Sequence, residues 1–165
     1  MSQERIPGPP AAELAATARV LLRDGTSGVL STISTRKEGW PLGTLVSYAV
    51  DEQGRPLFLF SEMSQHTKNL RADPRASLFV QEAGARKPQS APRMALLGTV
   101  APVPGGEAEA ARAAYVAVHK EGDTFADLGD FLFWRMTVED VHVVGGFAQA
   151  GWFPAAQLAE GGSGS

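Results

Sequence analysis

The chain has 165 residues, 44% of them hydrophobic and 20% charged, with a formal net charge of −3. This is the composition of a folded domain and not of a disordered segment, and it lacks the basic excess that draws proteins to nucleic acid or acidic membranes. There is no cysteine, which excludes disulfides, thiolate metal sites and thiol nucleophiles. The opening MSQERIPGPPAAELAATARVLL lacks a basic segment leading into an apolar one, and no apolar run nears the ~20 residues of a membrane helix. A cytoplasmic protein without nucleic-acid or membrane partners is the expectation.

Residues 1–12 read as an N-terminal arm, 13–158 as one domain and 159–165, ending EGGSGS, as a flexible tail. In PPAAELAATARVLLRDG, Leu14, Ala18, Leu21 and Leu22 share one face between prolines and Gly25, which predicts an amphipathic helix. SGVLSTIS (27–34), LGTLVSYAV (42–50) and LFLFS (57–61) read as strands joined by short turns, a meander of antiparallel pairs. A short helix over 64–72 follows, with Ser64 at its N-cap and Asp73-Pro74 as its stop.

RASLFVQ (75–81) resumes extended structure, AGARKPQSAP (83–92) reads as a mobile loop, and RMALLGTVAPV (93–103) as a fifth strand. An alanine-rich helix with Val116 and Val118 near its end comes next, then GDTFADLGDF as a turn. DFLFWRMTVEDVHVVGGF supplies a sixth strand or a hairpin. The whole is mainly β with flanking helices. Six antiparallel strands predict a closed or nearly closed barrel, because closure removes exposed edges.

The most unusual stretch is FSEMSQHTKNLRADPRASLFV (60–80), where hydrogen-bonding groups crowd the passage from strand to helix. If Ser64 caps the helix, the free N–H groups lie at Gln65, His66 and Thr67, at the positive end of the dipole. The hydroxyls of Ser61 and Thr67 and the cationic forms of His66 and Lys68 would add to a phosphate cradle. An ordinary capped surface helix explains the same residues. His119 ends a helix, where it suits the dipole. His142 alternates with Val141 and Val143 and faces away from them. The histidines lack metal-ligand spacing.

The run SEMSQHTKNLRADPRASLF, with VGGFAQA (144–150) near the end, resembles the pyridoxamine 5′-phosphate oxidase-like FMN-binding split barrels, and within them the haem-utilisation branch. The resemblance spans about residues 14 to 153 and implies a six-stranded antiparallel split β-barrel. It also implies FMN held by Thr44 and Ser47 along the ring, by Ser61, Gln65, His66, Thr67 and Lys68 at the phosphate, and by Arg93 from the fifth strand. A homodimer is implied, with the cofactor between subunits and Trp134, Arg135, Phe147 and Trp152 closing the site from the partner. The function implied is a flavin-dependent oxidoreductase acting on a small molecule. The alternatives are a haem-binding or haem-degrading protein, and a flavin-less binding module on the same barrel.

Overall fold

Residues 8–146 and 149–159 are described by the structure, a computed structural model. Helix α1 (Ala11–Asp24) buries the stripe Leu14, Ala15, Ala18, Leu21 and Leu22. It starts at Pro10, whose carbonyl accepts the Glu13 N–H at 3.0 Å, and stops at Gly25, whose N–H donates to the Leu21 carbonyl at 3.0 Å. The strands are β1 (Ser27–Ile33), β2 (Pro41–Ser47), β3 (Ala49–Val50), β4 (Pro56–Ser61), β5 (Arg75–Gln81), β6 (Arg93–Pro102), β7 (Phe131–Val144) and β8 (Ala150–Pro154). Helices α2 (Gln65–Ala72), α3 (Ala108–Val118), α4 (Gly122–Ala126) and α5 (Ala155–Ala159) pack around them.

All eight strands belong to one antiparallel sheet, in the order β2-β1-β5-β6-β7-β4-β3, with β8 added on β7. This is the split-barrel type of fold, with two more strands than the six expected. One arises because LGTLVSYAV breaks at Tyr48 into β2 and β3. The other is β8, which returns alongside β7 through a turn at Gly145 and Gly146, the latter at φ +130. The expected meander is interrupted as well: β2 pairs with β1 and β3 with β4, but no ladder joins β2 to β4. Consecutive segments thus sit at opposite ends of the hydrogen-bonded path, and the sheet must curl to let Tyr48 connect them.

Tyr48 is fully buried and held from three sides. Its N–H donates to the Thr26 carbonyl (2.9 Å) and its hydroxyl to the Leu22 carbonyl at the end of α1 (2.9 Å). Its own carbonyl meets His119 Nε2 at 2.8 Å. Burial pushes the phenol pKa up, so the hydroxyl stays a donor. A Cβ at Gly25 would run into that hydroxyl, so the glycine is required by close approach.

The core lies inside the curl, where Leu30, Leu78, Leu96 and Val141 face Phe58 and Met136. The apolar LFLF of β4 is mostly inside: Leu57, Phe58 and Phe60 are buried. In α3 the buried residues are Ala111 and Tyr115, whereas Val118 is 47% exposed, so an aromatic ring and not the valines anchors that helix. The segment expected as a turn holds α4. No helix among the described residues is long and apolar enough to cross a membrane.

Tyr48→Phe removes one buried hydrogen bond and keeps the ring, so urea denaturation should show a loss of about 1 kcal/mol. Tyr48→Ala also opens a cavity and should cost about 3–5 kcal/mol. Equal small losses would show that the ring is not what holds the seam.

Candidate functional site

At the end of β4 the chain turns through Ser61–Ser64, with the Ser64 N–H donating to the Ser61 carbonyl at 3.1 Å, and enters α2. Ser64 occupies the N-cap position in extended geometry, yet its side chain makes no capping bond. The first intrahelical donor is Lys68 N–H, to the Ser64 carbonyl at 3.2 Å. The N–H groups of Gln65, His66 and Thr67 precede it and have no intrahelical acceptor.

Asn69 decides where this helix sits. It is fully buried, and its Nδ2 donates to Thr32 Oγ1 at 2.9 Å. Its Oδ1 accepts from Thr35 N–H (3.1 Å), Thr35 Oγ1 (3.2 Å) and Gln65 Nε2 (2.9 Å). One amide therefore bolts α2 to β1 and to the turn beyond it, and Gln65 is spent in that network. The crowding of polar residues in the sequence marked this region, but not which of them the fold itself consumes.

His66 lies between Thr44 and Phe60: its Nδ1 is 3.2 Å from Thr44 Oγ1, and its ring centroid is 4.3 Å from that of Phe60. Nε2 is buried without a hydrogen-bond partner. Burial lowers the pKa below the ordinary histidine value, so the imidazole is neutral at pH 7 and adds no positive charge. The Ser61 hydroxyl donates to Asp130 Oδ2 (2.8 Å) and accepts from Met63 N–H (3.1 Å). Thr67 is turned fully inward, its hydroxyl buried and unpartnered, while Lys68 points to solvent.

Where β2 and β4 fail to pair, a cleft of about 320 Å³ opens, lined by Ser47, Ser61, Ser64 and His66 with Tyr115, Glu121, Phe125 and Phe131. Its walls combine aromatic rings with the aliphatic Leu45, Val46 and Leu59, and no lysine or arginine lines it. Ser47, Ser61 and His66 are thus brought together around one opening, and Thr44 reaches it through its contact with His66. Arg93 is not among them. It begins β6 on the outer side of the sheet, its Nη1 donating to the carbonyls of Gln89 (2.9 Å) and Ala91 (3.2 Å).

Of the residues expected to close a partner's site, Trp134 is only 1% exposed and belongs to the core, so it cannot reach across. Arg135 is held by Asp51 (3.2 Å) and Glu107 (3.0 Å). Phe147 lies outside the described residues. Trp152 is 56% exposed on β8.

The outer side of the sheet carries a feature that strand patterns alone could not assemble. Cross-strand pairing aligns Leu45, Val29, Phe79, Ala95, His142 and Trp152 in a single row running from β2 to β8. Leu45 is 78% exposed, and Val29 and Phe79 are also on the surface. Beside it the next row, Ser31, Ser77 and Leu97, borders an open groove of about 650 Å³. Arg93 lies two positions from Ala95 on β6 and hence on the same face. Its guanidinium forms no ion pair with any carboxylate among the described residues. Among those residues there is also no group of three potential metal-ligating His, Cys, Asp or Glu side chains.

The family model described as CREG, beta-barrel matches residues 9–159. The chain belongs to the CREG β-barrel family. It is 37% identical over 134 residues to the non-canonical heme oxygenase HOZ, chloroplastic, of Arabidopsis thaliana, a match covering 80% of this chain and 40% of HOZ. A heme binding protein from Mycobacterium smegmatis superposes with a TM-score of 0.83 at 30% identity, over 92% of this chain and 61% of that one. The chain therefore spans less than two thirds of either relative. A pyridoxinephosphate oxidase-family protein from Clostridium acetobutylicum shares the fold, with a TM-score of 0.66 at 11% identity, over 90% of this chain and 99% of that one.

Asn69→Ala strands donors on Thr35 and removes the Thr32 contact, so it should lower stability by about 2–3 kcal/mol in urea titrations. A second expectation concerns pH. The folded state holds His66 below its ordinary value of 6.5, so the unfolded chain takes up the proton first. Its contribution is intact above that value and is lost as pH falls through it towards the folded pKa. His66→Gln should flatten the fall in urea midpoint between about pH 7 and pH 5. An unchanged slope would mean that other groups set it.

Proposed function

We propose that the protein binds haem on the outer face of its sheet, between two copies of the chain, and serves haem breakdown. The observation that carries this reading is the apolar row with Arg93 and His142 on one surface. Haem is a flat apolar ring bearing an iron atom and two carboxylates. The row offers an apolar bed, the adjacent groove offers volume, the guanidinium suits a carboxylate, and an imidazole stands within the row. The similarity to HOZ and to the mycobacterial heme binding protein supports the same ligand. When haem is bound, its iron supplies the redox chemistry; the chain's residues seat the ring, fix its carboxylates and exclude water.

A second copy completes the reading. Leu45 and Trp152 stand far out of the surface, and an apolar strip of this kind is stable when covered. The cleft beside His66, at about 320 Å³, is at the small end of ligand pockets. A large planar cofactor gains its second wall from another subunit.

FMN is the second reading, favoured by one observation: the uncapped first turn of α2 opens next to Ser61 and Ser47. Helix N–H groups of this kind suit a phosphate. Against it stand the neutral His66 and the lack of a basic residue in the cleft. An FMN oxidoreductase would also have to place the phosphate near Glu121, which lines the same opening.

Absorption and fluorescence titrations separate the readings. Added haemin should give a saturable Soret change, and FMN fluorescence should stay unquenched. Arg93→Ala should weaken haemin binding about tenfold to a hundredfold, the value of one charge-assisted hydrogen bond. Haemin whose carboxylates are esterified should be indifferent to that substitution. Quenching of FMN but not of riboflavin, with no Soret change, would replace haem by FMN. No response to any of them would leave a binding module without either cofactor.

A further inference from the structure

Resting on the haem reading, we propose that His142 is the imidazole that faces and ligates the haem iron. The chain has three histidines, and the fold commits two of them elsewhere. His119 caps the end of α3 and places Nε2 2.8 Å from the Tyr48 carbonyl, inside the seam of the barrel. His66 has Nδ1 at Thr44 and Nε2 buried, beside the cleft and outside the row. His142 alone belongs to the apolar row.

The neighbouring valines explain why it points outward. Val141 and Val143 are completely buried, which pins this part of β7 and turns the intervening side chain to the other face. The imidazole packs against Trp152 on β8, with ring centroids 4.8 Å apart at 45°. That contact restricts the ring, and no described residue forms a hydrogen bond with either nitrogen. An imidazole nitrogen is a common axial ligand of haem iron.

The flanking charges give the ring a direction. Across β6, Ala95 faces His142, and Arg93 faces Val144, two residues further along β7. On the other side of His142 stands Asp140, opposite Leu97. A haem centred on His142 would send its carboxylates towards Arg93 and away from Asp140, because the first attracts them and the second repels them.

The test uses the intact chain loaded with haemin and reads the iron's ligation, not turnover. Wild type should show the absorption and electron paramagnetic resonance of imidazole-ligated ferric haem. His142→Ala should lose that signature and bind haemin at least tenfold more weakly, and free imidazole should restore the spectrum. His66→Ala should keep the wild-type spectrum. His142→Gln, with circular dichroism and urea midpoint measured on both variants, separates ligand loss from misfolding. An unchanged spectrum in both His142 variants would overturn the ligation while leaving haem binding intact. Loss of binding that imidazole does not repair would assign His142 to packing and also overturn it. If wild type gives no Soret change, the haem reading itself falls, and the ligation with it.

Discussion

The structure depends on one constraint, the passage of the backbone through Tyr48. Strands β2 and β3 are consecutive in the chain but stand at opposite ends of the hydrogen-bonded sheet. The sheet can accommodate both only by curling, and the residue between them has to sit where the ends meet. Tyr48 fills that place with a ring in the core and with bonds to Thr26, Leu22 and His119. Helix α1, the start of β1 and the end of α3 are thereby tied to the same point. The barrel is joined there by covalent chain and side-chain packing and not by a continuous ladder. That is why a cleft remains between β2 and β4.

Polar residues near that cleft serve the fold more than a ligand. Asn69 satisfies four contacts at once, Gln65 supports it, and Ser61 is held between Asp130 and Met63. Buried polar groups are costly unless paired, so a strand-to-helix passage this close to the core needs such a network. The ion pair of Arg71 with Glu62, and the stacking of Arg71 over Trp134 at 4.9 Å, hold the same helix from its other end. On α2 two groups escape the pairing, His66 Nε2 and Thr67 Oγ1, both enclosed, and the Trp134 Nε1 beneath Arg71 is unpaired as well.

The outer face differs in another way: along one row its apolar groups are unusually exposed. A protein surface tolerates single exposed leucines, but an aligned row that includes Leu45, Val29, Phe79 and Trp152 is a larger patch. Register makes it so. Each of β2, β1, β5, β6, β7 and β8 contributes one outward residue to the row, and the antiparallel pairings bring these residues abreast. The bulge between Leu97 and Gly98, where β6 slips against β7, ends this regular pairing just beyond the row.

By itself the sequence determined the mainly β character, the face of α1 that packs inward, the stop at Asp73-Pro74 and the likeness to the split barrels. These follow from local periodicity, caps and motif residues, which are properties of neighbouring positions. It also separated His142 from its flanking valines by simple alternation. Tertiary structure alone decided that LGTLVSYAV is two strands, that Trp134 is core, and that Asn69 and Gln65 brace the helix while Arg93 stands with His142 and not with His66. Each of those outcomes depends on which strand lies beside which, and on how far a curved sheet turns before its ends meet. Pairing between distant segments is not written in the period of either one.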